Sequence, residues 1–214
     1  MSGIVGSQDP LLWYVNRSTG LVLLVLLTLT VAGGVLSSRR GPGSRVTVPR
    51  FVPQAVHRSL GLLTLLLLAV HVASAVVDEY VDIRWWHAVV PAGLRYQPAW
   101  LAVGVVTFDL LLAVVLTSLV RGRLRYGAWR GVHLTTYAAW GGALVHGVGI
   151  GTDTGLTPVT WLYVGCAAVV GAALSHRLRS AGRLQGSLSA ARPAPGGRVP
   201  AHLQPAPVLP RRPR

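Results

Sequence analysis

The sequence predicts an all-α integral membrane protein, a helical bundle of about five transmembrane helices followed by a disordered C-terminal tail. Three observations carry this. Of the 214 residues, 51% are hydrophobic and only 12% are charged. Apolar runs near the length of about 20 residues that crosses a bilayer recur along the chain. From residue 177 the composition turns to Arg, Pro, Ala and Gly, which cannot build a core. The chain therefore divides into a short external N-terminus (1–10), a membrane domain (11–176) and a basic tail (177–214).

The net charge of +14 would suggest a nucleic-acid partner in a soluble chain. Here the basic residues lie between and after the apolar runs, so membrane topology accounts for them and no nucleic acid is expected. All 20 are Arg, which fits the Ala, Val, Gly and Pro bias of the whole chain better than a binding signal. Cys166 is alone in an apolar run. That excludes an intrachain disulfide, a C-x-x-C redox pair and a C-x-x-C-H haem attachment.

The first span, 11–36, does not read as a signal peptide, because no positive segment precedes it, Asp9 stands near its start and the run is too long. Asn16, Arg17, Ser18 and Thr19 interrupt its beginning. Gly20 and Gly34, 14 residues apart, suit close helix packing or clearance for a flat ligand. Residues 37–55 read as a loop with Arg39, Arg40, Arg45 and Arg50, broken by Pro42, Pro49 and Pro53. The second span is 55–77. Loop 78–99 holds Asp78, Glu79 and Asp82 with Trp85, Trp86 and His87. The tryptophans read as interface anchors, and His87 as an ordinary solvated loop residue or, as the alternative, a metal or substrate ligand.

The third span, 100–120, carries Asp109 near its middle, where an acid needs a partner or a proton. It is a candidate proton-relay group or a hydrogen-bonding link to neighbouring helices. A short Arg-rich loop leads to the fourth span, 129–151, in which Trp140 is expected either between cofactors or in plain interior packing. The run Gly147-Val148-Gly149-Ile150-Gly151 ends a hydrophobic helix rather than following a strand, so it is not a dinucleotide loop. The fifth span is 158–176.

Two spans each carry two histidines, His57 with His71 and His133 with His146, spaced 14 and 13 residues. Histidine inside lipid normally faces a partner, and neutral imidazole is an axial ligand of haem iron. Fourteen residues place two side chains about 21 Å apart and within about 40° of one helix face. That suits two haems stacked across the membrane, each held between two helices. Thirteen residues leave the rings about 140° apart on an ideal helix, which a locally tightened turn or a kink at Gly141-Gly142 would correct. The alternative is a set of scattered polar residues hydrogen-bonded between helices.

Charge fixes the expected orientation. Loop 37–58 has five Arg, loop 121–130 has four and the tail has eight, none with an acid, whereas the opposite side holds Arg17, Arg84 and Arg95 with five of the six acids. The positive-inside rule then makes this a multi-pass protein of the cell membrane with its N-terminus outside and its tail in the cytoplasm. His57 and His133 lie near the cytoplasmic face and His71 and His146 near the outer one. Because both histidine spans run the same way, equivalent depths should pair. Arg17 and Arg58, near opposite faces, are candidates to pair with haem propionates or to snorkel at the interface.

His57-Arg58-Ser59-Leu60-Gly61 with His71, and Trp129 and His133 followed by His146, resemble the ferric reductase-like transmembrane domain shared by ferric reductases, NADPH oxidases and the haem-binding membrane subunit of bacterial methionine sulfoxide reductase. The resemblance covers about residues 11–176. In the oxidase branch the paired ligands are also 14 and 13 apart. It implies that His57, His71, His133 and His146 ligate two non-covalent b-type haems. Members often have six spans, against five counted here, and reductases and oxidases usually continue into a flavin and nicotinamide domain that nothing after residue 176 resembles. The expected function is an oxidoreductase's electron-transfer subunit, carrying electrons from a separate cytoplasmic flavoprotein or membrane quinol to an external acceptor. Two other readings stay open: a non-redox membrane protein, such as an assembly factor or transporter subunit, and a quinone-linked cytochrome b anchoring a periplasmic reductase.

Overall fold

The computed structural model describes residues 10–37, 49, 51–78 and 83–190. Arg39, Arg40, Arg45, Arg50, Asp9, Glu79, Asp82 and the tail from 191, all used in the charge argument, lie outside the described residues. The described chain is helical throughout its secondary structure. The elements are α1 (Pro10–Ser37), α2 (Phe51–Val77), α3 (Pro98–Leu119), α4 (Tyr126–Leu134), α5 (Thr136–Ile150) and α6 (Thr157–Ala190). Short 3-10 turns stand at Trp85–Ala88 and Arg121–Arg123.

Four helices are long and apolar enough to cross a membrane: Leu11–Ser37, Phe51–Val77, Pro98–Leu119 and Thr157–Ser180. Each opens with a proline in its first turn (Pro10, Pro53, Pro98, Pro158), where the missing N–H costs nothing and the fixed φ favours the helix. Pro53 therefore starts α2 rather than prolonging the loop, and the second span begins four residues before the expected 55.

The expected fourth span is two helices. α4 and α5 meet at Thr135, whose N–H bonds to the Val132 carbonyl at 3.0 Å in a tightened turn. Thr135 Oγ1 donates to the Val132 carbonyl and Thr136 Oγ1 to the His133 carbonyl, both at 2.7 Å. Threonine hydroxyls that bond back to the preceding turn bend helices. The break thus falls at the threonine pair and not at Gly141-Gly142, where α5 is continuous.

α6 also departs from expectation, running on past 176 to Ala190. Arg, Leu, Gln and Ala sustain a helix, and the first proline after Pro158 is Pro193. Residues up to Arg177 form one compact unit; the second unit begins at Leu178.

Within the first unit α1 is central. It packs along α2 and α5, and α3 packs along α5. Leu27 and Val31 of α1 meet Tyr137, Trp140 and Ala143 of α5, with Val170 and Leu174 of α6 closing the cluster. Leu62 and Leu66 of α2 are exposed, as lipid-facing positions are.

Candidate functional site: two histidine pairs and their helix cradles

α2 runs antiparallel to α1, because His71 sits against Gly20 while His57 sits against Gly34. α5 is antiparallel to α1 as well, since Ala143 and Tyr137 meet the Leu27 and Val35 ends of α1 in that order. α2 and α5 are therefore parallel, which brings His71 and His146 to like depths, and His133 of α4 stands beside His57.

Three of the four imidazoles are held in one way. His71 Nδ1 donates to the Asn16 carbonyl at 3.0 Å, with Thr19 Oγ1 at 3.3 Å. His57 Nδ1 donates to the Thr30 carbonyl at 3.1 Å. His146 Nδ1 donates to the Trp100 carbonyl at 2.8 Å. Each accepting carbonyl stands four residues before a glycine: Asn16 before Gly20, Thr30 before Gly34, Trp100 before Gly104. Residues four apart share a helix face. A Cβ on that glycine would stand 3.2 Å from His71 Cε1, 3.3 Å from His57 Cε1 and 2.6 Å from His146 Cε1, respectively. The missing side chain is thus what lets each ring reach the carbonyl.

The bond fixes the tautomer. A carbonyl oxygen only accepts, so in each neutral ring the proton is on Nδ1 and Nε2 keeps its lone pair. A second partner holding Nδ1 is also how metal-ligating histidines are oriented.

His133 differs. Its Nδ1 is buried with no hydrogen-bond partner among the described residues, as is Nε1 of Trp129. The Trp129 ring stacks on His133 at 5.0 Å and 22°, and the Arg121 guanidinium covers the other ring contact of Trp129 at 4.7 Å. His57 and His133 face each other with ring centres 6.2 Å apart and planes at 66°.

His71 and His146 line one cavity of about 200 Å³ together with Gly20, Gly104, Arg17 and His87. Arg17 Nε is 2.8 Å from Asp153 Oδ2, and its terminal nitrogen bonds Thr152 Oγ1. This hydrogen bond holds the Asp153 carboxyl, in the loop before α6, below the usual carboxylate range. Arg58, next to His57, is exposed. No cluster of three or more His, Cys, Asp or Glu side chains suited to a bare metal ion exists among the described residues.

The remaining sequence candidates separate. Trp140 donates from Nε1 to Thr28 Oγ1 at 2.9 Å, at a depth between the two pairs, an interhelical contact of a kind worth about 0.6 kcal/mol. Asp109 is half-buried on α3 with no hydrogen-bond partner among the described residues, so the expectation that neighbouring helices hold it is not met. His87 is 6% exposed and lines the cavity. The expectation of a solvated loop residue is corrected, because its turn packs against both α2 and α3. Sequence reasoning missed the carbonyl acceptors and Gly104. Gly20 and Gly34, taken chiefly for helix packing, have an imidazole in their space; their spacing of 14 equals that of His57 and His71, which was the available signal.

No curated protein and no solved structure matches the chain. Residues 19–144, more than half of it, match the family described as ferric reductase like transmembrane component. Families of this kind are generally haem-binding, and the match spans three of the four histidines, with His146 two residues beyond it. A helical membrane bundle with paired imidazoles on parallel helices agrees with that match, and the chain belongs to the ferric reductase-like transmembrane family.

Proposed function

We propose that this chain carries electrons across the cell membrane through two bis-histidine b-type haems. His57 and His133 would hold one near the cytoplasmic face, and His71 and His146 the other near the outer face. The N-terminus would lie outside and the C-terminus in the cytoplasm.

The observation that carries the reading is the 6.2 Å between the His57 and His133 ring centres. Two imidazoles each bound to one metal at about 2.0–2.1 Å would have ring centres on the order of 6 Å apart, so these two residues could hold it together. The glycine clearances and the Nδ1–carbonyl bonds support it, since they leave Nε2 lone pairs on His57, His71 and His146.

Haem in these positions supplies one-electron redox chemistry. The protein's own part is to hold the imidazoles in one tautomer and exclude water with apolar helix faces. Arg17, on the cavity, and Arg58, beside His57, would neutralise haem propionates at opposite ends. Electrons would come from a separate flavoprotein or quinol and leave to an external acceptor, the chain acting as the membrane subunit of an oxidoreductase.

The test is a reduced-minus-oxidised spectrum of the purified protein with pyridine haemochrome quantification. Two low-spin haems per chain, fully extractable into acid acetone, are expected. A colourless, correctly folded preparation would sink the reading.

A further inference from the structure

The cavity lined by His71 and His146 has a third histidine, and it is wired the opposite way. The backbone N–H of Arg84 donates to His87 Nδ1 at 3.1 Å. An N–H only donates, so Nδ1 must accept, and the proton of the neutral ring sits on Nε2. His57, His71 and His146 present lone pairs at Nε2; His87 presents an N–H.

That donor is held firmly. The Trp86 ring stacks on His87 at 4.6 Å and 19°. Gly93, at φ +75°, folds the following loop back until its missing Cβ would lie 3.7 Å from His87 Nε2. A residue with a side chain resists that backbone conformation. No hydrogen-bond partner for Nε2 is found among the described residues.

We propose that His87 Nε2–H donates to a carboxylate of the haem held by His71 and His146, anchoring the acidic edge of that haem beneath the Trp85–Ala88 turn. The inference rests on the haem reading above. A haem carboxylate brought into this cavity needs donors, because a charged group in an apolar wall demands pairing. Several of the other polar groups there are committed in part, Arg17 keeping further N–H groups for a carboxylate. Asn16 Nδ2 donates to the His71 carbonyl and to Ser74 Oγ. Arg17 spends Nε on Asp153 and a terminal nitrogen on Thr152. His87 Nε2–H is unspent among the described residues, and it arrives from a turn packed between α2, which carries His71, and α3, which lies against His146.

The experiment uses the full chain, haem-loaded, as His87→Phe and His87→Gln. Phe keeps the ring shape without the donor; Gln keeps an N–H near the Nε2 position. Redox titration followed by electron paramagnetic resonance, and haem loss to an excess of a competing apoprotein, are the readouts. An unscreened carboxylate favours ferric iron. His87→Phe should therefore lower the potential of the haem at His71 and His146 by a tenfold shift in ferric over ferrous preference, about 59 mV for one electron. Haem loss should speed up several-fold, while the other haem keeps its potential. His87→Gln should restore most of both. Unchanged potential and haem loss in a haem-loaded His87→Phe protein, or equal shifts in Phe and Gln, would overturn the proposal. Should the Phe variant not accumulate, the unaltered protein reconstituted with haem dimethyl ester decides: the ester, which has no carboxylate to take the charge-assisted bond, must be lost faster, and equal loss of acid and ester overturns the proposal. A folded, unaltered chain without haem would instead fail the function reading itself.

Discussion

His71 and His146 are each tied at Nδ1 to a backbone carbonyl of a different neighbouring helix, one on α1 and one on α3. Of His57 and His133, only the first is tied, to Thr30 of α1. The cause lies in α3, whose sole glycine is Gly104. With no second glycine toward its C-terminal end, α3 does not offer His133 the approach that Gly104 offers His146. His133 is positioned instead by the Trp129 stack and by the turn at Thr135 immediately after it. One site is set by hydrogen bonds to rigid helices, the other half by stacking beside a break. Orientation of a ligand ring through its second nitrogen is what tunes a metal, so the two sites should answer differently to perturbation.

The largest effects are expected at the four histidines of the proposed haem sites. His71→Ala and His146→Ala should each abolish or convert to high spin the same haem, and His57→Ala and His133→Ala the other. Electron paramagnetic resonance on all four variants checks this. Grouping of His57 with His146 would break the parallel-helix arrangement on which the comparison stands.

Next is the glycine series. Gly104→Ala puts a Cβ 2.6 Å from His146 Cε1 and 2.7 Å from Nδ1, with the ring pinned to the Trp100 carbonyl. Overpacking of this kind costs about 1–3 kcal/mol. The haem at His71 and His146 should be lost or high-spin, which haemochrome counting reads as a fall toward one per chain. Gly20→Ala and Gly34→Ala, at 3.2 and 3.3 Å, ask the rings to move only a few tenths of an ångström. Both should keep their haem with a shifted signal. Equal loss in all three would show that helix packing, not ring clearance, is what these glycines serve.

A smaller effect is expected at the break. Thr135→Ala with Thr136→Ala removes both back-bonds. The signal of the haem at His57 and His133 should change and that of the other should not, with stability altered by less than about 1 kcal/mol.

The smallest is at the Arg17–Asp153 pair. Its folded carboxyl titrates below the ordinary 3.8. The contribution to stability is therefore complete above that value and is lost as pH falls through the depressed one. Asp153→Asn should flatten the thermal-unfolding profile below about pH 4 and leave neutral stability within a fraction of a kcal/mol.

The spans, the histidine pairs and their parallel direction were legible because hydropathy and charged loops are properties of contiguous residues. The break at Thr135 was not. Threonines inside an apolar run read as part of the span, and only their hydroxyl bonds to the preceding turn show a bend. His87 was misread for the opposite reason: a polar-looking loop gives no hint that α2 and α3 bury it. The carbonyl acceptors at Asn16, Thr30 and Trp100 carry no sequence signature at all, since every residue has a carbonyl. What marks them is the glycine four places on, which has meaning only beside an antiparallel histidine helix. α6 outran its expected end because arginine stopped the hydropathy signal without stopping the helix.

The two contacts between α1 and α2 work like marks on a pair of rulers. Gly20 and Gly34 are as far apart on one helix as His71 and His57 on the other. Sliding either helix by one residue moves both marks by about 1.5 Å and turns them by about 100°, so both rings leave their carbonyls together. A residue inserted between the marks on α2 alone must misalign one of them. Only a matching insertion between the marks on α1 brings the scales back into agreement. The length of α2 between its histidines is thus not free to vary, however featureless its leucines look, because it is measured against another helix.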